Sequence, residues 1–77
     1  MIQARDQTHF LKKSVSLHGH RTSIALEKAF WDVLEASAKA QGISLSQLIK
    51  DIDEGRHGSL SSALRLYALV YAFKREI

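Results

Sequence analysis

The sequence predicts a mainly α protein with one β-ribbon, and three observations carry that expectation. A β-rich alternating stretch, "KKSVSLHGHRTSIALE", precedes three segments of helical spacing. Glycines at 42, 55 and 58 separate those segments. The 77 residues contain no proline to interrupt them, and no cysteine to staple them. A chain this short forms at most one domain, stabilised by packing or by a partner chain. With 45% hydrophobic and 25% charged residues it is a globular sequence, not a disordered one.

In the alternating stretch, Val15 and Leu17 are apolar at odd positions, whereas Ile24 and Leu26 are apolar at even positions. Strand side chains alternate faces, so the flip around Gly19 requires a bulge or a tight turn there. The main strand is read at Arg21 to Leu26. Thr22, Ile24 and Leu26 share one face and Arg21, Ser23 and Ala25 the other.

The first helix is expected from about Glu27 to Gln41, with Phe30, Val33, Leu34 and Ala38 at helical spacing and Glu27 in the first turn. Gly42 ends it. Ser44 and Gln47 form an S-x-x-Q capping box for a short second helix carrying Leu45, Leu48, Ile49 and Ile52. Ser59 or Ser61 caps a third helix running to roughly Lys74, apolar nearly all round and therefore in need of cover on several sides. Residues 1–11 show no period and read as a flexible basic arm, leaving residues 12–77 as the domain.

Charge is segregated. Up to Arg21 there are four basic residues (Arg5, Lys12, Lys13, Arg21) and only Asp6 is acidic, whereas residues 22–77 balance seven of each sign. The whole net charge of +3 therefore sits on the first 21 residues. A basic segment on a neutral body points to an anionic partner, nucleic acid or an acidic surface. The N-terminus lacks the apolar core of a secretory signal, and the run Leu64 to Phe73 is too short to span a bilayer, so a cytoplasmic protein is expected.

A single main strand cannot satisfy its own backbone, and a second copy of the chain is the economical partner. The expected architecture is an intertwined homodimer with an antiparallel two-stranded sheet. Its dimer core would be Ile24, Leu26, Phe30, Leu34, Leu48 and Ile49. Arg21, Ser23 and Ala25 would point outward on a ribbon of a size that enters the DNA major groove.

"HRTSIALEKAFWDVLEASAKAQGISLSQLI" resembles the ribbon-helix-helix DNA-binding family of the Arc and MetJ type. Together, "GHRTSI", the Phe30-Trp31 pair and "LSSALRLY" resemble a bacterial subgroup with an added C-terminal helix, over roughly Lys12 to Tyr71. The resemblance implies a DNA-binding transcriptional regulator with base contacts at Arg21, Ser23 and Ala25. Ala25 departs from the longer polar side chains usual there and offers only a methyl group. It also implies a phosphate anchor at Ser44, Leu45 and Ser46, whose helix N-terminus suits an anion, with Lys12 and Lys13 on flanking phosphates.

Other readings are weaker. His18 and His20 with His57 or His9 lack the ligand set of a metal site, so no metal or cofactor is expected. No nucleophile, base and oxyanion donor can be assembled, so an enzyme is not expected. Trp31 is assigned to the core or the dimer interface. Glu35 and Lys39 form an i,i+4 pair on a solvated face. The acidic cluster Asp51, Asp53 and Glu54 has no assigned role. The alternative function is an antitoxin-like interaction module that docks another protein through the apolar third helix.

Overall fold

A computed structural model describes residues 9–75. Its elements are β1 (Phe10–Leu17), β2 (His20–Glu27), α1 (Lys28–Gln41), α2 (Leu45–Glu54) and α3 (Leu60–Arg75). Of the N-terminal arm, residues 1–8 lie outside the described residues, whereas Phe10 and Leu11 already belong to β1.

The two strands form one antiparallel sheet within the chain, in unbroken register from Phe10 opposite Glu27 to Leu17 opposite His20. The second strand expected from a partner copy is thus supplied by β1. The parity flip is a tight turn and not a bulge. Only His18 and Gly19 connect the strands, both at positive φ (52° and 81°), as a two-residue hairpin loop requires for the twist of its strands. Glycine adopts that conformation freely, and histidine is among the side chains that tolerate it.

Leu11, Val15 and Leu17 of β1 and Thr22, Ile24 and Leu26 of β2 face the helices. At the end of β2, Glu27 is extended and occupies the N-cap position of α1, one residue outside the helix expected to include it. The Lys28 amide donates to the His9 carbonyl at 2.7 Å, tying the helix start to the entry of β1. Gly42 closes α1 at φ 71°, and the Ile43 amide reaches back to the Ala38 carbonyl at 3.0 Å, satisfying a carbonyl the helix leaves open.

Ser44 caps α2 by accepting from the Gln47 amide at 3.0 Å. Only this half of the expected capping box forms, because the Gln47 side chain donates to Asp51 at 2.8 Å. Ser59, not Ser61, caps α3, accepting from the Ser62 amide at 3.1 Å.

One core joins both strands and all three helices: Val15, Leu17, Ile24, Leu26, Trp31, Leu34, Ala38, Leu48, Ile49, Leu64 and Ala68. Five of the six residues expected to form a dimer core (Ile24, Leu26, Leu34, Leu48, Ile49) are buried within a single chain, and Phe30 is half-buried. Trp31 is a core residue, 1% exposed, and its Nε1 donates to the Leu11 carbonyl at 2.8 Å. The fully buried Ser37 hydroxyl meets Tyr67 Oη at 2.7 Å, and Gln41 Nε2 donates to both oxygens, pinning α3 across α1.

Candidate nucleic-acid interface

The cross-strand register assembles the outer face of the hairpin. Ser16 stands opposite Arg21, Ser14 opposite Ser23 and Lys12 opposite Ala25, and all six are exposed. The candidate reading residues therefore share a face with three residues of β1, of which the sequence reading singled out only Lys12. Even-numbered parity in β1, set by Val15 and Leu17 facing inward, is the sequence signal that places Ser14 and Ser16 there.

This face has a definite chemical character. Four small side chains, Ser14, Ser16, Ser23 and Ala25, make a low floor, with Arg21 near the turn and Lys12 about 13 Å along the ribbon at ~3.3 Å per residue. Among the described residues, neither cation has an ion-pair partner. Both charges are left to solvent, the state in which a cation meets a phosphate or a base edge without first breaking a contact.

Lys13 is not part of this face. Strand alternation turns it inward, where its Nζ binds Glu35 Oε2 at 2.9 Å and lies 5.5 Å from the centroid of the Trp31 ring. The expectation that it flanks Lys12 on phosphates conflicts with that pairing. The same bond replaces the expected Glu35 and Lys39 pair, and the i,i+4 pair on α1 is Lys28 with Asp32 at 2.8 Å. Ser44 and Ser46 are exposed and Leu45 half-buried at the start of α2.

The acidic cluster acquires a structural role through Asp53. Its carboxylate accepts from Arg56 Nε at 2.6 Å and lies 3.0 Å from His18 Nε2, so the last turn of α2 holds the hairpin turn. Hydrogen bonds from Arg56 and then His18 keep the Asp53 carboxyl below its ordinary value. At the other end of the ribbon, a backbone hydrogen bond at Glu27 itself and then the bond from Arg65 Nε, at 3.0 Å, lower the Glu27 carboxyl. Both acids near the ribbon ends are thus engaged, which leaves the outer face cationic. Among the described residues no cluster of three or more His, Asp or Glu is arranged to hold a metal. Nor is any helix long and apolar enough to cross a membrane.

Comparison with known proteins agrees with this architecture. The family model described as a ribbon-helix-helix domain matches residues 10–72. Among solved structures, an uncharacterized protein of Bordetella pertussis Tohama I is similar, with a TM-score of 0.80 and 32% sequence identity over 94% of this chain. The chain spans 62% of that protein's length. No curated protein sequence matches the chain.

Proposed function

The chain belongs to the ribbon-helix-helix domain family, a DNA-binding fold, and from that premise we propose that it is a sequence-specific transcriptional regulator that binds DNA as a homodimer in the bacterial cytoplasm. One observation carries the reading: the outer face of the hairpin is polar and cationic, with Arg21 and Lys12 without an ion-pair partner among the described residues, above a floor of small side chains.

In this reading the outer edge of β2, free among the described residues, pairs with β2 of a second copy. The two central strands then form the ribbon that enters the major groove. The flanking β1 strands stand about 14 Å apart at ~4.8 Å per strand, slightly more than the ~12 Å groove, which brings Lys12 of each copy to the phosphate walls. Arg21 contacts guanine in a bidentate manner, Ser23 adds a hydrogen-bonding hydroxyl and Ala25 meets a thymine methyl group. Backbone amides at Ser44, Leu45 and Ser46 and the positive end of the α2 dipole hold a further phosphate.

The test is selection from fragmented DNA by the purified full chain at two salt concentrations, with Arg21→Ala in parallel. Enrichment of a short repeat by the wild type, lost in the variant, is expected. Equal, weak and salt-sensitive retention of all fragments by both proteins would overturn sequence-specific readout.

A further inference from the structure

One side of α3 carries an open stripe and, beside it, a groove. Leu66, Leu69, Val70 and Phe73 are 62%, 60%, 44% and 68% exposed at helical spacing. Leu66 and Val70 also line a groove of about 450 Å³ between α2 and α3, together with Ile52 and Tyr67, and Arg56 and His57 stand at its end beside the start of α3. That volume falls within the range of small-molecule pockets. A peptide helix, ~10–12 Å across, would fill it with about one turn.

We propose that the groove binds a small amphiphilic anion, a carboxylate on an apolar body of alkyl or aryl carbon. Two observations select that chemistry. The walls are largely apolar, and a body laid against Leu66 and Val70 removes from water two side chains that the chain itself leaves open. The end of the groove is basic: none of the lining residues is acidic, and residues 55–75 contain four Arg or Lys and no acid. A carboxylate complements that end, whereas an ammonium group is repelled from it.

Arg56 is already fixed in place for such an anion. Its Nε donates to Asp53 at 2.6 Å and its Nη1 to the Gly58 carbonyl, while Nη2 is unbonded among the described residues. The His57 ring likewise has no hydrogen-bond or ion-pair partner among them. A carboxylate accepts from Nη2 and from the imidazole N–H, and both bonds are charge-assisted. Asp53 also lies 3.0 Å from His18, so a ligand on Arg56 stands close to the contact that holds the hairpin tip. An anion that draws on Arg56 loosens its grip on Asp53 and thereby the fixing of the ribbon. Calling the ligand an effector rests on the DNA-binding reading above; the binding site does not.

The test is titration of the full chain, without DNA, with 4-phenylbutanoate, its neutral amide and 4-phenylbutylammonium, followed by amide chemical shifts. Saturable shifts centred on Ile52, Arg56, Leu66 and Val70 are expected for the carboxylate. Binding about tenfold weaker is expected for the amide, which loses the charge-assisted bonds, and none for the ammonium. Leu66→Glu, which sets a carboxylate in the groove at an exposed position, is expected to weaken binding about tenfold or more with an unchanged circular dichroism spectrum. His57→Ala, which leaves the Asp53 contacts intact, is expected to weaken it less. Leu69→Glu, on the stripe but outside the groove, is expected to bind as wild type. With a selected DNA fragment, the carboxylate is expected to lower wild-type affinity about fivefold or more.

No saturable shift at millimolar carboxylate, equal binding of acid and amide, or equal losses in Leu66→Glu and Leu69→Glu overturns the proposal. The last result would mean that the probe spreads over the open stripe instead of entering the groove. Carboxylate binding with unchanged affinity for DNA would uphold the site and overturn its effector role. Intact carboxylate binding by a chain that selects no DNA fragment would uphold the site and overturn the DNA reading, so the two failures are distinguishable.

Discussion

His18 Nε2 lies 3.0 Å from Asp53 Oδ2, joining the tip of the hairpin to the last turn of α2 across 35 residues of sequence. The contact fixes the ribbon at the end where Arg21 sits, and it is tuned by protons. Arg56 and His18 hold the Asp53 carboxyl below its ordinary value of 3.8 in the folded chain. Its contribution to stability is therefore full above 3.8 and is lost as pH falls through the lower folded value. Asp53→Asn is expected to lower the melting temperature at neutral pH and to flatten the acid limb of stability against pH. Thermal unfolding from pH 6 down to about 2 checks this, and an acid limb as steep as that of the wild type would refute it.

Gly19 sits at φ 81° with open space where a Cβ would point, so a methyl group there clashes with nothing beyond its own backbone. Gly19→Ala is expected to cost about 1 kcal/mol, the penalty for a left-handed L-residue. Denaturant unfolding should show a lower midpoint with an unchanged slope. A changed slope would mean that the hairpin rearranges instead of bearing the strain.

The turn was legible in the sequence because Val15 and Leu17 on one side and Ile24 and Leu26 on the other have opposite parity. Full β1 was not, and Lys13 is the reason. It occupies an inward position where alternation calls for an apolar residue, and the fold accepts it because its ammonium lies 5.5 Å from the centroid of the Trp31 ring and reaches Glu35. A contact between residues 22 apart leaves no local signal. Arg21, Ser23 and Ala25 were recognisable from β2 alone, whereas Ser14 and Ser16 needed the register. For α3, periodicity called for cover on several sides, and the structure divides them between its own core and the open stripe. The acidic cluster was opaque because the partner of Asp53 is the distant His18.

Tyr67 is the polar link between α3 and α1. Its hydroxyl meets Ser37 at 2.7 Å and receives Gln41 Nε2 at 3.1 Å. Tyr67→Phe is expected to destabilise by about 1 kcal/mol, since Ser37 keeps its bond from Gln41 and only one partner is lost. Adding Ser37→Ala should cost less than it does in the wild-type background, because the two residues share a network. Strictly additive losses in a double-mutant cycle would show that the hydroxyls do not act together.

Adjacent lysines on opposite faces of β1 give the sharpest separation between binding and folding. Lys12 is exposed on the outer face opposite Ala25, while Lys13 is engaged with Glu35. If the outer face meets DNA, Lys12→Ala removes one phosphate contact per copy. The slope of log affinity against log salt should then fall by about 2 for a dimer, with specificity unchanged. Arg21→Ala should instead cost about 1–3 kcal/mol per contacted base and relax preference at one base pair of each half-site. Lys13→Ala should leave the salt slope alone and reduce stability by less than about 1 kcal/mol, the range for an exposed ion pair. Titrations of a selected fragment at several salt concentrations distinguish the three variants. Equal slopes for Lys12→Ala and wild type, or a reduced slope for Lys13→Ala, would mean that the outer face of the hairpin does not face the phosphates.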